Sequence, residues 1–457
     1  MQIIRLARVI SGADLLLRLQ KARPTLSRAT MMRMVKELGD QVVVRGAARR
    51  TSYAARRPLR GNSSPIALYR IDRQGRGKQI ATLDPIYPAG CAMRYEQPFE
   101  WPLAQEMRDG WFPGLPYPLD DMRPQGFLGR QFAHRYADLL QTGADPRRWQ
   151  EDDVLHALST MGGDSAGNYI LGEVAYRRHL ETMQRGYAVI GDKGLGAAYG
   201  KQAAMAMEAG VAGSSAGGEF PKFTACRERS EGKTHVIVKF SGNDSSPGAQ
   251  RWADLLICEH LALETLARHL ALPAARSSIL RHEQRTFLEV VRFDRHGEFG
   301  RSPVCTWAAL DAALFGMAAE AWTKVGERLA IERYINDDTR ACINRLWHFG
   351  RLIGNTDMHE GNLAFIPGAA GQAPLTLAPA YDMLPMLYAP VRGVELPFRE
   401  FKPGLPLPQE RADWLAAAAA AIEFWRAAAG DRRIGAAFRA ICKFNGKELI
   451  RLQALVA

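Results

Sequence analysis

The sequence predicts an α+β protein in three parts: a small basic unit of helices and a β-hairpin over residues 1–60, a β-rich and then mixed part over 61–290, and a mostly helical part over 291–457. Three observations carry this. Fourteen Arg and Lys against three acids give the first 60 residues a net +11, which leaves +1 of the total +12 for the other 397. A β-branched strand, Thr234–Phe240, carries one lysine near its end and leads into an amphipathic helix from Ala249 to Leu270. An Ala-rich helix at Trp414–Ala429 has the character of a packing element on the large helical part.

Composition narrows the classes. A chain of 457 residues that is 47% hydrophobic and 24% charged is an ordinary globular composition, which excludes disorder, collagen-like repeats or a disulfide scaffold for the whole. The six cysteines form no C-x-x-C pair, which argues against a zinc ribbon and fits a reducing cytoplasm. Arg5 and Arg8 interrupt the N-terminal apolar stretch, so no signal peptide is expected, and no uncharged apolar run reaches the length of a membrane span. The expected location is cytoplasmic, and on the nucleoid when bound to DNA.

Within the basic segment, Ser11 caps a helix containing Leu15, Leu16 and Leu19, and a turn follows at Pro24. Ser27 caps a second helix ending at Leu38, with Ala29, Met32, Val35 and Leu38 expected on its buried face. Val42–Arg45 and Thr51–Ala54 read as a hairpin. Helix, turn, helix and hairpin resemble a winged helix-turn-helix. Ser27, Arg28, Thr30, Met31 and Arg33 would then face the major groove of double-stranded DNA, and Arg45, Arg49, Arg50 and Arg56 its backbone or minor groove. A wing that docks protein and an inert basic domain remain as alternatives. Residues 60–130, rich in Pro, Gly and aromatics, read as a β-rich packing module with a strand at Ile66–Ile71. Helices are expected from about 131 to 200.

Chemistry begins at Gly213-Ser214-Ser215-Ala216-Gly217-Gly218-Glu219, where glycines let backbone N–H groups approach phosphate oxygens. Lys239 in the Val-Ile-Val-Lys strand is costly to bury unless an anion pairs with it, and the run is close to the V-A-I-K strand of protein kinases. Glu259, twenty residues on, could orient that lysine, with Glu264 as competitor. Glu289, Val291 and Phe293 lie on a strand placed to meet the adenine. Asp357 and Asn362 have the D-x-x-x-x-N spacing of a kinase catalytic loop, in which the Asp accepts the substrate hydroxyl proton and the Asn holds Mg²⁺. Asp382, 25 residues after Asp357, supplies a second metal carboxylate. His359 between them, counted with the nucleotide-site residues, could orient the loop or merely fill space, and a zinc site there lacks further ligands at useful spacing. In this order the parts specify ATP-dependent phosphoryl transfer with Mg²⁺.

At these residues the chain resembles the HipA family of serine/threonine kinases, toxin components of bacterial persistence modules. Gly213–Lys222 is similar to its S-x-A-G-x-Q-x-K loop, Val291–Arg295 to its hinge, Gly354–Asn362 to G-N-x-D-x-H-x-x-N, and Pro379–Met383 to its metal-binding Y-D; weaker similarity, including Asp121–Pro124, reaches back to about residue 65. The resemblance implies a two-lobed protein-kinase-like fold with a mostly helical C-terminal lobe, ATP and Mg²⁺ as cofactors, and a protein Ser/Thr substrate, an aminoacyl-tRNA synthetase in known members. It also implies autophosphorylation of a loop serine, Ser214 with Ser215 as alternate. Two departures stand out: the loop is one residue longer at Gly217-Gly218-Glu219, and Gly361 stands where many members carry Lys. The basic N-terminal unit resembles the variant that carries its DNA-binding segment in cis, and a homodimer on a palindromic site would follow from the usual symmetry. The alternatives are a DNA-binding regulator whose kinase-like part only senses nucleotide, and a small-molecule kinase.

Overall fold

The structure is a computed structural model and describes residues 1–46, 48–209, 220–368, 374–391, 395–396 and 398–457. The side chains of Arg49 and Ala209 are outside this description.

Two capped helices open the N-terminal unit. Ser11 Oγ accepts from Asp14 N at 3.1 Å to start Gly12–Ala22, and Ser27 Oγ accepts from Thr30 N at 3.1 Å to start Arg28–Glu37. Each satisfies an amide that the helix itself cannot. Val42–Arg45 pairs antiparallel with Ser52–Ala55, and the short strand Ile10–Ser11 joins the sheet's other side. That strand and the first helix, Gln2–Leu6, were not expected. Neither is long enough to display a period.

The second helix buries a different stripe from the one expected. Met31 is buried, with Val35 and Leu38 half-buried behind it, whereas Ala29 is exposed and Met32 is 54% exposed. A spacing of three drifts around a helix of 3.6 residues per turn, so the stripe that stays on one face starts at Met31. Met31 therefore belongs to the core with Ile4, Ile10, Leu15 and Tyr53, not to a groove-facing surface.

The hairpin lies against a five-stranded antiparallel sheet, in the order Trp111–Phe112, Cys91–Tyr95, Gly77–Pro85, Ile66–Ile71 and Tyr169–Leu171. Val43 and Ala54 from the hairpin pack with Ile86, Ala92 and Trp111 across the seam. The helices Gly126–Leu140, Glu151–Met161, Glu173–Arg185 and Leu195–Ala209 accompany this sheet and lead on to the next.

A second five-stranded sheet follows, ordered Ser277–His282, Arg285–Val291, Gly232–Phe240, Lys222–Arg229 and Val189–Ile190, with the long helix Pro247–His269 against it. The helices Asp337–Leu352, Arg411–Gly430 and Ala436–Val456 build the C-terminal part. Trp414 and Trp425 of the Ala-rich helix are buried, and Trp425 Nε1 donates to Leu352 O at 3.1 Å. Sheet plus helical bundle gives the two-lobed α+β, kinase-like arrangement, and the two parts touch where Ala275 N donates to Ala380 O and Phe293 packs near Tyr381. No helix among the described residues is long and apolar enough to cross a membrane.

Candidate active site

Strand alternation decides which way Lys239 points. In the register between Gly232–Phe240 and Arg285–Val291, Lys239 lies opposite Leu288 and Val238 opposite Glu289. Neighbouring residues face opposite sides, so Lys239 turns toward the helix Pro247–His269 while Val238 joins Phe240, Phe287 and Tyr199 in a separate apolar cluster. Lys239 is only 5% exposed, and a lysine so buried needs anions. Glu259, fully buried, accepts from Lys239 Nζ at 2.7 and 2.8 Å. Asp382 contacts the same nitrogen from the other lobe. Glu264, the competing carboxylate, instead pairs with Arg268 at 3.1 Å on the exposed side of the helix.

Asp382 sits at φ +51°, a left-handed conformation that Asp tolerates better than most residues and that costs about 1 kcal/mol or more. Its segment is pinned on both sides. Ala380 N donates to Pro273 O at 2.8 Å and Ala275 N to Ala380 O at 2.9 Å, tying it to the chain just past the Glu259 helix. Asn355, 2% exposed, donates through Nδ2 to Asp382 O at 3.3 Å and accepts from Asp357 N at 3.0 Å. Tyr381 Oη donates to Gly361 O at 2.7 Å. The Asp357–Asn362 loop is thus fastened to the Asp382 segment at both ends.

Inside the loop, Asn362 Nδ2 donates to Asp357 O at 2.8 Å, which leaves its amide oxygen without a donor among the described residues. The Asp357 side chain is exposed and its carboxylate is likewise unpartnered among them. His359 Nδ1 accepts from Gly361 N at 3.0 Å and caps the turn Glu360–Asn362. A Cβ at Gly361 would stand 2.9 Å from His359 Cε1, so the histidine occupies the space that a side chain at 361 would enter.

Charge is poised unevenly here. Burial works against the charge of Lys239, but Asp382 and Glu259 outweigh it and raise its pKa above the ordinary lysine value. Burial raises Glu259 despite the nearby lysine. At Asp382 burial also pushes upward, but Lys239 and Lys222 overcome it and hold the carboxyl at about 2. Lys239 lies between the two carboxylates, and Lys222 adds its field to both. Asp382, whose side chain is 34% exposed, presents its charge to the cleft. A divalent cation with oxygen ligands suits this set: a charged carboxylate and an amide oxygen.

Two expected adenine contacts are corrected. Glu289 faces away from Lys239, buried among Arg227 Nη1 at 2.6 Å, Arg229 and Tyr199. Burial would raise its pKa, but the Tyr199 hydrogen bond and the arginines lower it, so it is a charged strut of the opposite face. Val291 packs on that same face. Phe293 does turn toward the site and lies 6.0 Å from the Tyr381 ring. Gly213, Ser214, Ser215, Ala216, Gly217 and Gly218 lie outside the described residues. The chain emerges at Phe220, whose ring is 5.9 Å from Lys239 Nζ.

The basic unit divides its arginines. Arg28 and Arg33 are exposed on the second helix, where Ser27 Oγ and Thr30 Oγ1 lie 2.9 Å apart. Arg45 and Arg56, expected at the DNA backbone, are turned inward: Arg45 Nη2 meets Asp84 at 2.6 Å and Arg56 Nη2 meets it at 3.1 Å. A carboxylate only 3% exposed needs both. Arg57 and Arg60 pair with Glu151, Asp152 and Asp153. Arg50, 64% exposed, reaches Asp109 at 3.1 Å. The side chain of Arg49 is outside the described residues.

The chain is similar to known proteins over most of its length. Residues 62–180 match the YjjJ-like toxin middle domain and residues 214–443 the HipA-like C-terminal domain. The toxin YjjJ of Escherichia coli K12 is 36% identical over 451 residues, covering 97% of this chain and 98% of that protein. Among solved structures, the HipA of Shewanella oneidensis MR-1, in complex with HipB and operator DNA, is 14% identical, with a TM-score of 0.49 over 86% of this chain and 95% of that one. The proinflammatory kinase CtkA of Helicobacter pylori is 12% identical, with a TM-score of 0.36 over 52% of this chain and 90% of that one. On the end-to-end identity with YjjJ and a domain match that spans half its length, the chain belongs to the HipA-like toxin family.

Proposed function

We propose that the protein is an ATP- and Mg²⁺-dependent serine/threonine protein kinase with a DNA-binding unit in cis. The observation that carries this reading is Lys239 Nζ held between Glu259 and Asp382, with the Asp357–Asn362 loop fastened to the same segment by Asn355 and Tyr381. Bound ATP and Mg²⁺ would supply the phosphoryl group and neutralise its charge. Asp382, ionised throughout the physiological range, and the Asn362 amide oxygen would hold the metal. Lys239 would orient the phosphates, with Glu259 keeping its ammonium charged and aimed. Asp357 would accept the proton of an incoming serine or threonine hydroxyl, a role suited to an exposed, unpartnered carboxylate. Positioning and charge neutralisation are most of what phosphoryl transfer asks of a protein.

Family resemblance adds that the Gly213–Gly218 loop covers the phosphates and that Ser214, with Ser215 as alternate, is autophosphorylated. It also makes a protein target, of the aminoacyl-tRNA synthetase class, the substrate to test first. Exposed Arg28 and Arg33 beside capped Ser27 and Thr30 support a DNA-reading helix. The division 1–60, 61–290 and 291–457 is the domain scheme of this reading. The test is labelling with [γ-³²P]ATP. Asp357→Ala should abolish labelling of the protein and of cell extract while nucleotide still binds. Unchanged labelling would remove Asp357 from the chemistry, and nucleotide binding without labelling in the unaltered protein would favour a nucleotide-sensing regulator.

A further inference from the structure

A cavity of about 500 Å³ lies on the seam between the N-terminal unit and the first five-stranded sheet, far in sequence from the phosphoryl-transfer residues. That is within the range of small-molecule sites, roughly 300–1,000 Å³. Arg8 and Val9 come from the link between the first helix and first strand, Arg50 from the hairpin turn, and Glu106, Asp109 and Trp111 from the middle part.

Two of its charged groups have no protein partner among the described residues. Arg8 forms no ion pair or hydrogen bond among the described residues, although its backbone is held at φ +54°, where a side chain other than glycine is strained. Glu106, an exposed lining residue, is also unpaired among them. Trp111, also part of the wall, is 5% exposed, and its inaccessible Nε1 has no hydrogen-bond partner among the described residues. The remaining charges, Arg50 and Asp109, answer each other at 3.1 Å. The wall therefore carries one unmatched cation and one unmatched anion, with Trp111 and Val9 among its apolar residues.

That division selects a ligand class. A polyanion such as a nucleotide would face Glu106 and Asp109, and a simple cation would face Arg8 and Arg50. A small zwitterion satisfies both ends. We infer that the cavity binds a free α-amino acid with an apolar side chain, its carboxylate at Arg8, its ammonium at Glu106, and its side chain against Val9 and the Trp111 ring. This site is independent of the kinase reading.

The test uses the full-length protein and apolar L-amino acids, each with its N-acetyl and amide derivatives, at millimolar concentration. Thermal unfolding and tryptophan emission are followed together. At least one free amino acid should raise the unfolding temperature saturably, and neither of its derivatives should. Arg8→Gln and Glu106→Gln should each weaken binding about tenfold, as loss of a charge-assisted hydrogen bond would. Both positions are partly or fully solvent-facing, and the unliganded unfolding temperature of each variant checks that it folds. The emission change should vanish in Trp111→Phe. No response to any of these amino acids, equal binding of the N-acetyl forms, or affinity indifferent to both charge-removing variants would overturn the proposal.

Discussion

Two of this molecule's buried charge clusters are built in opposite senses. At the seam, one carboxylate, Asp84, sits between two arginines, Arg45 and Arg56; at the cleft, one ammonium, Lys239, sits between two carboxylates, Glu259 and Asp382. The seam cluster is closed to solvent: the Asp84 side chain is 3% exposed and both of its charge partners lie within the fold. The cleft cluster is open at one corner, because Asp382 is 34% exposed and remains ionised. Access to solvent, rather than the mere presence of buried charge, separates the two clusters. Each behaves differently when one member is removed, which gives three ways to probe the contrast.

The largest effect should come from Asp84→Ala. It leaves two guanidinium groups facing each other in a dry seam, a change that typically costs about 3–5 kcal/mol. Thermal unfolding should show the loss, whereas labelling activity of the still-folded fraction should persist. An unfolding temperature equal to that of the unaltered protein would mean that the seam is solvated and not a fastening.

Lys239→Met should cost less, about 1–3 kcal/mol, because fully buried Glu259 can neutralise itself by taking up a proton. The pH dependence then has a definite sign. With its lysine gone, the folded-state pKa of Glu259 stands above the unfolded value. Its contribution is thus fully present below the unfolded pKa and lost as pH rises through the folded one. The variant should therefore be relatively more stable in mild acid. In the unaltered protein Asp382 works the other way. Its depressed pKa of about 2 adds stability above the unfolded value, lost as pH falls toward about 2. A Lys239→Met variant with the pH profile of the unaltered protein would show that Glu259 is not carrying buried charge.

The smallest effects distinguish exposed from inward arginines on the basic unit. Under the proposed DNA reading, Arg28→Ala and Arg33→Ala should each weaken DNA retardation several-fold and lower the slope of log affinity against log salt by about 0.9. Arg45→Met should leave that slope unchanged and instead lower the unfolding temperature. A slope change at Arg45 and none at Arg28 would reverse the assignment of the surface.

The same contrast explains what could be read from residue order. Lys239, Glu259 and Asp382 were legible because each sits in a local pattern: a β-branched strand, an amphipathic helix, and an Asp at a set distance past D-x-x-x-x-N. The caps at Ser11 and Ser27 were legible for the same reason. What escaped depends on contacts between distant segments. Asn355 lies inside the quoted motif, but its tie to Asp382 exists only once residues 355 and 382 meet. Arg45 and Arg56 counted as free positive charge because nothing near them in sequence announces Asp84. Glu289 was misassigned by a single step of strand alternation, since it pairs with Val238 rather than with Lys239. A one-residue offset in a strand changes the face entirely.

The central claim is that Lys239, Asp382 and Asn362 serve one metal-loaded triphosphate. Titration calorimetry of ATP into the protein, with and without Mg²⁺, tests it most directly. The unaltered protein should bind ATP more tightly with Mg²⁺ than without it, and Asp382→Asn should bind ATP with no such dependence. An absence of binding heat in the unaltered protein, or a Mg²⁺ dependence that survives Asp382→Asn intact, would contradict it.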